Sequence, residues 1–310
     1  MTDGATVVLP LDGSQLAEMA IPMAARIAGG EGEPVGGTVI LLGVPEVYGL
    51  EPSWHSGATI DAGAPMVPAD QLMADARAKT ELYLTSVAGH LAELGVRSEI
   101  VVADVDPERA IVDAAAERGA TMVVMASHGW GGVAAVALGS TTDKVLRSST
   151  VPVLVVRSGA EHVDPRLDHL MVALDGSPGS EVVLEPMRDL ALDLGSALTL
   201  VHVVVEPTIA PETAALLEAE SKHVADMRRY LGAIVTDLRL DGIDARRELL
   251  AGADPAEVLL ERQARGDVDL LGLTSRAPEG WPKLSVPSVT DRVLHGAHAP
   301  VVVQRAPGRR

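Results

Sequence analysis

The stretch Thr6-Val7-Val8-Leu9-Pro10-Leu11-Asp12-Gly13-Ser14 returns, altered, as His169-Leu170-Met171-Val172-Ala173-Leu174-Asp175-Gly176-Ser177. Each is a short apolar run that stops at Asp-Gly, a dipeptide that favours a turn. The aspartates are separated by 175 − 12 = 163 positions. Three more anchors recur in the same order. Asp106-Pro107 returns as Asp254-Pro255, an offset of 148. Thr142-Asp143-Lys144-Val145-Leu146 returns as Thr290-Asp291-Arg292-Val293-Leu294, and Val151-Pro152-Val153 as Ala299-Pro300-Val301, both also at 148. A repeat of this length means two copies of one domain. We place them at 1–158 and 168–310, with the polar segment 159–167 as linker. The offset falls by 163 − 148 = 15, so the first copy carries about fifteen extra residues, assigned to the Pro-, Gly- and Ser-rich loop 45–69.

Composition narrows what each copy can be. Of 310 residues, 47% are hydrophobic but only 2% aromatic, with no Phe. Cores of Val, Leu, Ile and Ala suit parallel strands buried on both faces. The formal net charge of -18 repels phosphate backbones at long range, which argues against a nucleic-acid partner. A small anionic ligand can still bind, because the first amides of a helix supply local positive potential. The chain has no Cys, which excludes disulfides, thiolate chemistry and Cys-based metal sites. A basic segment followed by an apolar stretch is missing from the amino terminus, and no apolar run approaches the length of a membrane span. A soluble, cytoplasmic protein without a membrane partner is expected.

Apolar runs and helical periodicities alternate along both copies. The first copy predicts strands at 6–11, 38–44, 98–103, 121–126 and 151–156, with helices at 17–28, 70–94, 107–118 and 140–147. The second predicts strands at 169–174, 197–205, 245–250, 269–273 and 300–304. This alternation implies an α/β fold: two tandem doubly wound domains, each a five-stranded parallel sheet flanked by helices. In such sheets ligands sit beyond the carboxyl ends of the strands, where the strand order reverses. With strand four beside strand one, the loops after those two strands form the site.

The loop after strand four reads Met125-Ala126-Ser127-His128-Gly129, then nine residues, then Gly139-Ser140-Thr141-Thr142. Gly129 and Gly139 let backbone approach a ligand closely. Ser140, Thr141 and Thr142 open a helix, so their free amides and hydroxyls suit phosphate oxygens. A purely structural reading also holds here, with Ser140 as N-cap and Asp143 completing a capping pair. Asp12 reads equally as a turn residue. His128, a lone loop histidine, has a structural role rather than a catalytic one. The chain lacks a P-loop, a dinucleotide fingerprint and a Gly-x-Ser-x-Gly elbow. We assign no catalytic and no metal-binding residue.

These residues carry a resemblance. The chain resembles a tandem universal stress protein, over both halves almost end to end. ATP-binding members of that family have Gly-x2-Gly-x9-Gly-Ser/Thr after the fourth strand; here the pattern reads Ala126-x2-Gly129-x9-Gly139-Ser140, a departure at its first position only. The resemblance implies the adenine nucleotide alpha hydrolase-like fold with strand order 3-2-1-4-5. It implies ATP, with or without Mg, in the first half. Asp12, with Pro10 and Leu11 beside it, would meet ribose and adenine, and Val44 would meet adenine through its backbone. Met125 and Ala126 would flank the ribose. Gly129, Gly139, Ser140 and Thr141 would take the phosphates, and His128 would contribute backbone. In the second half Ser275 replaces the second glycine, and Pro287, which has no N–H, stands where Gly139 stands. One good site is expected, not two.

Three functions fit: an ATP-binding regulatory or stress-response protein, a slow ATP hydrolase, or an interaction module with vestigial sites. Hydrolysis needs a carboxylate near the γ-phosphate, for which Asp12 and Asp143 are the candidates. Tyr48, Trp54 and His55 follow Val44 and suggest a lid. The fifth strands are apolar edges, so the resemblance implies that the two domains dock on each other as an intrachain pseudo-dimer. A homodimer through another surface and an unnamed regulatory protein complete the expected partners.

Overall fold

The computed structural model describes residues 4–29, 36–45, 68–127, 138–157, 166–205, 214–275 and 288–307. The first half runs β1 (Thr6–Pro10), α1 (Gln15–Glu18), α2 (Ile21–Gly29), β2 (Thr38–Gly43), α3 (Ala69–Glu93), β3 (Arg97–Val102), α4 (Pro107–Glu117), β4 (Met122–Ser127), α5 (Ser140–Ser148) and β5 (Val153–Arg157). The second runs β6 (His169–Ala173), a 3-10 helix (Pro178–Val183), α6 (Leu184–Leu194), β7 (Ala197–Val205), α7 (Ala214–Leu240), β8 (Ala245–Gly252), α8 (Pro255–Gln263), β9 (Leu270–Ser275), α9 (Val289–Gly296) and β10 (Val301–Arg305). The proposed lid residues Tyr48, Trp54 and His55 lie outside the described residues, as do His128 and Gly129.

All pairings inside each half are parallel, in the order β3-β2-β1-β4-β5 and its repeat β8-β7-β6-β9-β10. The α/β class and the doubly wound order therefore hold in both halves. The halves join into one ten-stranded sheet because β5 and β10 pair antiparallel. The register is Val153↔Val303, Leu154↔Val302 and Val155↔Val301. Its centre pairs Leu154 with its own repeat, since 154 + 148 = 302, so a pseudo-twofold passes through that pair.

Alternation along the strands sorts side chains into two apolar layers. Val7, Leu9, Val39, Leu41, Leu154 and Val302 pack with α2, α3, α6 and α7 on one face. Val8, Ile40, Leu42, Val153, Val155, Val301 and Val303 pack with α4, α5, α8 and α9 on the other. Both layers run unbroken across the β5–β10 seam. Each fully buried Val or Leu contributes about 1.5–3 kcal/mol of burial.

One helix departs from its sequence reading. The single helix expected at 17–28 is broken at Met19 and Ala20 into α1 and α2. Pro22 is the reason: it has no N–H to give Glu18, and its ring disfavours helical backbone at Ile21 when the helix is continuous. The break turns α2 onto the sheet and leaves α1 as a short cap over the turn after β1.

Candidate functional site

Strand β1 ends at Pro10, and Leu11 N–H extends the ladder by donating to Leu42 O at 2.8 Å. Asp12 then folds back: its Oδ1 accepts Ser14 N–H at 2.9 Å. Gly13 takes φ +81°, which only glycine adopts without strain. The repeat builds the same turn, with Ser177 N–H on Asp175 Oδ1 at 3.0 Å and Gly176 at φ +84°. Ser14 caps α1 by accepting Ala17 N–H at 3.1 Å. Asp12 thus serves the turn while its side chain stays exposed.

The turn faces α5 across the switch point between β1 and β4. A cavity of about 270 Å³ opens there, and nine of the eleven residues picked from sequence line it: Pro10, Leu11, Asp12, Val44, Met125, Ala126, Gly139, Ser140 and Thr141. Thr142, which opens the helix with Ser140 and Thr141, also lines it, and Leu16, Ala17, Leu42, Pro107, Ile111 and Ser127 complete the wall without a sequence signal of their own. Ser127 matters most among these. Buried to 1% exposure, its Oγ accepts Gly139 N–H at 3.4 Å and ties the two ends of the motif together. The only sequence signal for it was its place inside the motif.

The start of α5 corrects the capping alternative. Ser140 is the first helical residue, not the N-cap; Gly139 is the N-cap and no side chain caps the helix. Asp143 does not turn back to the helix start but pairs with Arg147 at 2.9 Å. By helix geometry the amides of Ser140, Thr141 and Thr142 have no acceptor within the helix. In the second half the corresponding Ser288 is an N-cap: its Oγ accepts Asp291 N–H at 3.1 Å while Asp291 Oδ2 accepts Ser288 N–H at 3.1 Å, a complete capping box. The same Ser-x-x-Asp spacing therefore closes one helix start and leaves the other open. Among the described residues no group of three or more His, Asp or Glu is placed to hold a metal.

Behind each turn lies a repeated pair that the sequence reading missed. Tyr83 of α3 donates its hydroxyl to Glu18 at 3.1 Å, and Tyr230 of α7 donates to Glu181 at 2.8 Å. Burial, then the accepting carboxylate, pushes both phenols well above the ordinary tyrosine value. A raised folded-state pKa means this stabilisation is complete below about pH 10 and drains away as pH climbs past it. The stability of the wild type to urea should therefore fall from about pH 10 upward, with phenolate absorbance rising on unfolding. In Tyr83→Phe/Tyr230→Phe that alkaline loss should shrink; an unchanged pH profile removes these pairs as its cause.

Two doubly wound α/β domains are fused through their fifth strands, each with a cavity at its switch point. A model described as the universal stress protein family matches residues 5–157 and again 166–305. A universal stress protein of Mycolicibacterium smegmatis is 28% identical over 320 residues, 96% of each chain. One of Mycobacterium tuberculosis strain H37Rv is 29% identical over 219 residues, 69% of this chain and 70% of that relative. The crystal structure of a universal stress protein from Archaeoglobus fulgidus is similar with TM-score 0.73 at 19% identity, covering 97% of this chain and 98% of that one. The chain belongs to the universal stress protein family, with two copies of its domain in tandem. No described helix is long and apolar enough to cross a membrane.

Proposed function

We propose that the chain is an ATP-binding regulatory protein of the stress-response type, with the nucleotide held by the first half. The observation that supports this reading best is the uncapped start of α5, whose free amides border the same cavity as Asp12 and Val44. Apolar walls from Leu42, Ile111 and Met125 suit a purine, and Asp12 supplies an acceptor for ribose hydroxyls. The amides of Ser140 and Thr141 suit phosphate oxygens. A hydrolytic role finds less support, because the Asp143 carboxylate is committed to Arg147 and leaves Asp12 as the acidic group at the cavity.

Isothermal titration with ATP, with and without Mg, tests the reading. One ATP per chain is expected, since the capping box occupies the start of α9. Absence of saturable heat at millimolar ATP rejects it. Hydrogen exchange with and without ATP then reads the regulatory part: altered protection away from the cavity is expected, and protection confined to the cavity makes ATP a structural ligand.

A further inference from the structure

The second half also has a cavity at its switch point, and it is built for different chemistry. It measures about 500 Å³ against about 270 Å³ in the first half. Its walls are chiefly aliphatic, including Val201, Val203, Leu259 and Leu273. At its rim Val205 is 56% and Val289 39% exposed, two of the few large apolar side chains so open to solvent among the described residues.

Several polar groups interrupt this wall, and His202 is the one with a buried ring atom left unpartnered among the described residues. Leu11 N–H meets Leu42 O, and Leu174 N–H meets Val201 O, so His202 occupies the position of Gly43. In the first half a Cβ on Gly43 would lie 2.5 Å from Thr80 Cγ2, so α3 leaves no room for a side chain there. In the second half the imidazole fits and is 5% exposed. Its Nδ1 lies 2.8 Å from Leu174 O and so carries a proton. In the neutral ring Nε2 is then an acceptor, and it is buried with no hydrogen-bond partner among the described residues. A buried polar atom left in this state is costly and marks a place where a ligand gains by pairing. The exposed ring of His223 stands edge-on to it, 5.7 Å between centroids.

Two threonines of the lining also present acceptors. Thr274 Oγ1 gives its proton to Ser180 O and Thr290 Oγ1 gives its own to Thr274 O. Phosphate is disfavoured, because the Asp291 carboxylate already occupies the helix start that phosphate would use. A cation would meet one carboxylate in the lining, Asp175, but its Oδ1 already accepts Ser177 N–H and Oγ–H, and the wall around it is chiefly aliphatic.

We propose that this cavity is a second binding site, for a neutral and largely apolar heterocycle or phenol that donates one N–H or O–H hydrogen bond to Nε2 of His202. It is independent of ATP in the first half.

The test uses indole and 2-naphthol, each beside its N- or O-methylated analogue, titrated against the full chain with and without saturating ATP. Both donors should bind saturably, and methylation should weaken each by about tenfold. In His202→Phe, which keeps the ring but not the acceptor, the members of each pair should bind alike. In the wild type, the nitrogen resonance of His202 Nε2 should move on titration with indole, a readout that needs no variant to fold. Failure of both donors to bind, equal binding of the methylated analogues, an unmoved His202 resonance, or displacement of indole by ATP each overturns the proposal.

Discussion

Gly139→Asp should lower the affinity for ATP by roughly 10–100-fold while leaving the fold as stable as before or slightly more so. The two effects share one cause. At the N-cap of α5, glycine contributes no side chain and the first amides stay open. Aspartate at an N-cap accepts from the second or third helical amide and sets a negative charge against the helix dipole. It thereby consumes donors that phosphate needs and repels the phosphate itself, recreating what Ser288 and Asp291 do at α9. Opposite signs on binding and stability separate a lost site from a damaged fold. Proline is a weaker probe, because φ at Gly139 is −52°, which a proline ring accepts. Titration of ATP beside thermal unfolding checks the expectation; affinity within about twofold of wild type removes the amides of α5 from the site.

The double substitution Val153→Lys/Val301→Lys should part the two halves. Both valines are essentially unexposed, lie in the same apolar layer and are repeats of each other, 153 + 148 = 301. Each pairs across the seam, with Val303 and Val155 respectively. Burying an ammonium without a partner costs several kcal/mol, so two such charges rival the about 5–15 kcal/mol stability of a typical domain. Opening the seam relieves this, since lysine on an exposed edge strand is well solvated and blocks re-pairing. Two unfolding transitions in urea and a larger hydrodynamic radius should replace a single cooperative transition. A variant with the wild-type midpoint and radius means that the halves are held elsewhere.

Much of the architecture could be read from the residues. The strand runs were legible because Val, Leu and Ile occur consecutively where both faces are covered, and the repeat anchors fixed their order. Val153 to Val156 are apolar on both faces, unusual for a strand at the end of its own domain unless something lies beyond it. The broken helix was less legible: the apolar spacing from Ala17 to Ala28 favours one helix, and a single missing N–H at Pro22 decides otherwise. In the cavity, Asp12 and Gly139 announced themselves through turn and glycine chemistry. Ser127 did not, since a serine at a strand end is ordinary until its partner, Gly139 N–H, is known. The capping box was read at Ser140 and Asp143 but formed at Ser288 and Asp291, because equal spacing leaves open which residue begins the helix. The second cavity was hidden for a related reason. Its histidine stands where the repeat has glycine, and whether a strand-end side chain faces packed helix or open space depends on the distance of α7 from the sheet.

The pairing of β5 with β10 also sets a schedule for synthesis. The first half is complete once Arg157 has emerged, yet the strand that covers its edge begins at Val301, so 301 − 157 = 144 residues must still be made. At roughly 5–20 residues per second the ribosome needs about 7–30 s for them. Throughout that interval a finished domain carries a bare, self-complementary strand. Neighbouring chains on one messenger carry the same strand, centred on the same Leu154, and a segment of residues 1–157 made alone should associate with itself through it. The order of translation, as much as the final contacts, then decides whether each β5 meets its own chain.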